Sequence, residues 1–117
     1  MEHTFGNALR EHRRVSGLSQ RELAERIGVD FSYISKMENG RLPAPAADTI
    51  VSICRVLEIP AEEMLALTGK IPSNVQQTVS TSRVAQQFLH EAQKMQLTEE
   101  QWGRMVQTLR NLKDGSP

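Results

Sequence analysis

The sequence predicts an all-α protein, and three observations carry that reading. Apolar residues recur three and four positions apart, as in Leu23, Ala24 and Ile27, then Ile50, Ile53, Cys54 and Leu57, then Val84, Phe88, Ala92 and Met95; that spacing places them on one face of a helix. Helix starts and stops are written beside these runs: Ser19 with Glu22 and Thr98 with Gln101 are capping-box patterns, and Gly28 stands where a helix ends on a left-handed residue. Aromatics make up only 4% of the chain, so Leu, Ile, Val, Ala and Met supply the core, as suits helix packed on helix. With 117 residues the chain can bury one core of domain size and carry a small appendage.

The first helix is expected over about Thr4 to Ser16, with Phe5, Leu9 and part of Val15 inward. The second runs from about Ser19 to Ile27, and Val29 follows as a plug for the core. The third runs from about Asp30, placed as its cap, to Glu38, and stops at Asn39-Gly40; Phe31, Ile34 and Met37 face inward, and Ser32, Tyr33 and Lys36 outward. RLPAPAAD reads as a loop, since Pro43 and Pro45 disfavour helix at the residues before them. A fourth helix spans about Ala46 to Leu57. Pro60 suits the first turn of a fifth, which carries Met64, Leu65 and Leu67 and ends near Gly69. The polar segment 70–80 reads as a linker with one helical turn around Val75 to Val79. Residues 81–117 then form a helical hairpin, Arg83 to Met95 followed by a helix carrying Trp102, Met105, Val106, Leu109 and Leu112.

Two short helices joined by a tight turn, the second with polar and cationic side chains facing outward, can present a helix to the DNA major groove. LREHR, LSQRELAERIGV, YISKMENGR and IVSICRVLEIPAEEML occur in that order within Phe5 to Ala66. This segment resembles the helix-turn-helix domain of the phage-repressor/Cro class, the XRE family. The resemblance covers somewhat more than half the chain and implies a compact, five-helix, lambda-repressor-like domain at residues 1–69. It also implies a DNA-binding regulator, acting as a dimeric repressor on an inverted-repeat operator.

By position and by resemblance the third helix is the recognition helix. Phe31, Ser32 and Lys36 match the family's base-contacting positions: Lys36 can donate to guanine N7 and O6, Ser32 can donate or accept, and Phe31 can meet a thymine methyl. The alternative for Phe31 is a ring partly buried on the second helix. The free amides at the start of the second helix suit a phosphate, so Ser19, Gln20 and Arg21 are expected there. Asn39, Gly40 and Arg41 form a second phosphate clamp. The Tyr33 hydroxyl meets a phosphate at the groove edge or packs inward. Arg13 and Glu38 match a pair that ties the first helix to the end of the third in this class; otherwise Arg13 is a phosphate ligand.

The formal net charge is zero, which speaks against a strongly basic nucleic-acid binder. Affinity follows the charge at the contact surface, however, and Arg10, Arg13, Arg14, Arg21, Lys36 and Arg41 fall in or near the proposed DNA-facing elements. His3, His12 and His90 are scattered, and no metal-ligand spacing, phosphate loop or nucleophile motif appears, so an enzyme is not expected, nor a metal or cofactor. Cys54 is the single cysteine and lies on an apolar stripe, where a buried thiol is expected. The amino terminus has no signal-type apolar core and no run approaches membrane length. A cytoplasmic, nucleoid-associated protein of a prokaryote or phage is therefore expected. The partners expected are double-stranded DNA and a second copy of the chain, held by Trp102, Met105, Val106 and Leu109. The alternatives for the hairpin are that it folds back on the first domain, or that it binds a protein partner such as a toxin in an antitoxin-type regulator. An antirepressor or a protease acting on the linker is a third candidate partner.

Overall fold

The computed structural model describes residues 4–114, so His3 and the last three residues of the expected C-terminal segment lie outside it. Among the described residues eight helices follow one another: α1 (Phe5–Ser16), α2 (Gln20–Ile27), α3 (Phe31–Glu38), α4 (Ala47–Leu57), α5 (Ala61–Thr68), α6 (Ser73–Ser80), α7 (Arg83–Met95) and α8 (Glu99–Asp114). The chain divides into two compact units between Gln76 and Gln77.

In the first unit, α1 to α5 close around Leu9, Leu23, Ile34, Met37, Ile50, Ile53, Cys54 and Met64, all fully buried. The predicted periodicities supply this core, because each helix buries one stripe. Caps set the helix ends. Thr4 Oγ1 accepts from Asn7 N at 3.1 Å at the head of α1. At α2 the capping box is complete, with Glu22 N donating to Ser19 Oγ at 3.0 Å and Ser19 N donating to Glu22 Oε1 at 2.8 Å. Gly28, at φ 76°, turns the chain out of α2 in the left-handed region that a side chain disfavours.

Four expectations are corrected. Val15 is 79% exposed, because it falls off the 5, 9, 12, 13 row that α1 turns inward. Leu67 is exposed at the edge of α5 beside Thr4, Asn7 and Ala8, side chains too small to cover it. Asp30 precedes α3 with extended backbone but makes no side-chain capping bond. Segment 70–80, expected as a linker with a single turn, is helical over Ser73–Ser80. Its start is tied to the first unit: Ser73 N and Oγ donate to Asp48 at 3.0 and 2.7 Å, and Lys70 Nζ donates to the Ala44 and Pro45 carbonyls at 3.0 and 2.8 Å. The Ser73 bonds, backbone amide first, hold the Asp48 carboxyl below its ordinary value.

In the second unit, Ser82 Oγ caps α7 by accepting from Ala85 N, and Thr98 with Gln101 completes a capping box at α8. Ala92 is buried, but eight large apolar side chains of α7 and α8 are exposed, from Val84 to Leu112.

Candidate nucleic-acid interface

The outer face of α3 is set by what its inner face buries. Ile34, Met37 and Glu38 are sunk into the first unit, so Lys36 and Asn39 project outward and Ser32 lies half-exposed on the same side. Gly6 allows α1 to approach the end of α3, since a Cβ there would run into the Met37 carbonyl oxygen.

Glu38 fixes this end of α3. Its carboxylate, 2% exposed as a residue, accepts from Arg13 Nε at 2.7 Å, Arg13 Nη2 at 3.0 Å and Gln20 Nε2 at 2.9 Å, with Arg10 Nε at 3.6 Å. Burial raises the Glu38 carboxyl, but the Arg13 and Gln20 hydrogen bonds and the two guanidinium charges outweigh it and hold it below its ordinary value. The Glu38 bond raises Arg13 in turn. Arg13 Nη1 also donates to the Leu18 carbonyl at 2.9 Å. Arg10 Nη2 donates to the Glu38 carbonyl at 3.0 Å and to Asn39 Oδ1 at 2.9 Å.

The expected DNA-contacting residues are therefore differently engaged. Lys36 and Arg41 are exposed, with no side-chain partner among the described residues. Ser32 Oγ donates to the Asp30 carboxylate. Phe31 is half-buried against the core with the Arg21 guanidinium 4.3 Å above its ring centroid. Tyr33 packs against the core as well. Ser19 is occupied as a cap acceptor, Gln20 donates to Glu38, and Asn39 is left its amide hydrogens as donors beside Gly40. Arg10, counted among the DNA-facing cations, belongs to the Glu38 network; only its spacing of three from Arg13 hinted at a shared face. Of the expected apolar seam, Trp102, Val106 and Leu109 are exposed and Met105 is half-buried. Cys54 is buried, which raises its thiol above the ordinary value. Among the described residues no group of His, Cys, Asp and Glu gathers as a metal site, and no helix is long and apolar enough to cross a membrane.

The family description "helix-turn-helix domain" matches residues 4–67, the α1 to α5 core with α3 on its outside. This chain belongs to the helix-turn-helix domain family, in its phage-repressor/Cro (XRE) class. The helix-turn-helix chain is 40% identical over 67 residues to the uncharacterized HTH-type transcriptional regulator RghRB of Bacillus subtilis, covering 57% of this chain and 48% of that protein. It is 35% identical over 68 residues to the HTH-type transcriptional repressor RghR of the same organism, covering 58% and 50%. It thus spans about half the length of these relatives. Among solved structures, SinR, a master regulator for biofilm formation, in complex with DNA, matches with a TM-score of 0.50 at 29% identity. That match covers 53% of this helix-turn-helix chain and 98% of the SinR chain.

Proposed function

We propose that this chain is a sequence-specific DNA-binding transcriptional regulator, a dimeric repressor that seats α3 in the major groove of an inverted-repeat operator. The observation that carries the reading is α3 itself, anchored by three buried side chains and offering Ser32 and an unpaired Lys36 side by side on its outer face. Lys36 donates to guanine acceptors. The amides of Gln20 and Arg21 at the start of α2 meet one phosphate, and Asn39 and Arg41 meet the next. Phe31 and Tyr33 support the surface rather than reading it, since both rings lie against the core. Repression follows from occupancy of the operator, in the cytoplasm of a prokaryotic or phage-infected cell. A partner-binding regulator of antitoxin type is the second reading, favoured by the exposed apolar side chains of α7 and α8.

The test is fluorescence anisotropy with a duplex selected from a random pool and with an unrelated duplex. Lys36→Ala is expected to lower affinity for the selected duplex by roughly 1–3 kcal/mol and to reduce discrimination. Arg41→Ala is expected to weaken both duplexes alike and to flatten the salt dependence. Equal loss on both duplexes from Lys36→Ala would remove α3 as the reader.

A further inference from the structure

Asp30 stands at the N-cap of α3 with extended backbone, φ −72° and ψ 143°, where an aspartate ordinarily accepts from the helix amides. It makes no such bond. Its carboxylate instead accepts the hydroxyl of Ser32. A carboxylate at neutral pH has no proton to give, so the hydroxyl is the donor and its one hydrogen is taken. What Ser32 has left to offer is oxygen lone pairs. Asp30 is exposed beside it and also only accepts. Lys36, four residues beyond Ser32 and on the same face, only donates. The outer face of α3 thus carries an acceptor at its N-terminal end and a donor one turn later.

In the major groove, adenine N6 and cytosine N4 are donors, whereas guanine O6 and N7 and thymine O4 are acceptors. We infer that the Asp30–Ser32 bond makes Ser32 an acceptor-only reader, which selects adenine or cytosine on the contacted strand and rejects guanine and thymine. Asp30 is the positioning residue and acts through the hydroxyl it holds. An unheld serine would rotate its hydrogen to suit either class and discriminate weakly. With the hydrogen held, a guanine or thymine at this place sets acceptor against acceptor and leaves a buried carbonyl unpaired. The inference rests on α3 entering the major groove as proposed above.

The full chain is titrated by anisotropy against its selected duplex with each base pair of a half-site replaced in turn. The position read by Ser32 is the one whose preference Ser32→Ala erases. There the native protein is expected to favour the amino-bearing base by about tenfold. Replacing an adenine there by a purine without the 6-amino group, or a cytosine by a pyrimidinone without N4, is expected to cost about the same. Asp30→Ala, with folding checked by its melt, is expected to bring the preference to within about twofold, and to leave it unmoved when Ser32 is already Ala. A native preference for guanine or thymine at that position overturns the inference, as does a preference that Asp30→Ala leaves intact in a folded protein. If Asp30→Ala does not fold, the base analogues decide alone. If Ser32→Ala alters no position while Lys36→Ala alters one, this inference fails and the groove reading stands. If neither alters any position, the groove reading fails with it.

Discussion

Glu38 keeps a negative charge almost wholly out of water, and Arg13, Gln20 and Arg10 are the groups that answer it. Such a carboxylate makes stability pH-dependent with a definite sign. Its folded value lies below the ordinary 4.5, so its contribution is complete above that value and is lost as pH falls through the folded one. Acid melts below about pH 4.5 are expected to fall more steeply for the native chain than for Glu38→Gln. Equal slopes would mean that Glu38 titrates as it does in the unfolded chain. Arg13→Ala removes the principal partner and leaves Glu38 uncompensated, at a cost of about 3 kcal/mol in a urea melt. An unchanged transition with weaker DNA binding would instead make Arg13 a phosphate ligand. The two residues stand 25 positions apart, and no periodicity relates them; only the family resemblance pointed to the pair. Arg10 was illegible for the same reason. Its partner lies on another helix, and sequence reading assigns an arginine beside a recognition helix to the DNA. Asp30 and Ser32 are only two apart and legible in principle, but the capping habit of aspartate hid the bond that forms.

At the scale of elements, helix existence was legible because each helix carries its own stripe and its own stop signal. The starts of α1 and α4 differ from expectation by one residue, since Thr4 and Ala46 stand outside the helices they introduce, whereas Ser19 and Asp30 stand at the N-caps of α2 and α3 as expected. α6 was less legible. SNVQQTVS buries no side chain, so it has no apolar stripe to read, and its start is fixed by Asp48 of a helix 25 residues earlier. The part Gly6 plays in bringing the α1 backbone against the end of α3 was not legible, because a glycine within a helix reads as tolerated rather than required. Gly6→Ala tests it. Two effects oppose: alanine favours an isolated helix by about 1 kcal/mol, and overpacking against rigid backbone costs about 1–3 kcal/mol. The backbone carbonyl of Met37 cannot rotate aside as a side chain can, so the clash is expected to win and the melting temperature to fall. A rise would show that the two helices stand further apart.

For the whole molecule the question is how a chain of zero net charge holds a site against a genome of competitors. Arg10 and Arg13 are withdrawn into the Glu38 network, so fewer cations remain for phosphate than the sequence advertises, and non-specific affinity is expected to be correspondingly low. One domain with one short reading helix contacts too little DNA to be selective. In the proposed dimer, two domains joined through a second copy would multiply their half-site contacts through effective concentration, with half-sites about one helical turn apart (~34 Å). The second unit is the proposed joint, because Trp102, Val106 and Leu109 expose apolar surface in a segment too small for a core of its own. A chain ending at Gln76 keeps the Lys70 and Ser73 ties and the entire core of the first unit. It is expected to melt cooperatively and sediment as a monomer. Its operator affinity should drop by at least about a hundredfold, at the low end of the avidity a linked second site supplies. In the full chain, Trp102→Ala is expected to shift the dimer towards monomer, and native Trp102 fluorescence should change on dilution through the dimer's dissociation constant. A shortened chain that still dimerises and binds the palindrome at full strength would assign dimerisation to the first unit. The exposed side chains of α7 and α8 would then belong to a different protein partner, as the antitoxin-type reading requires.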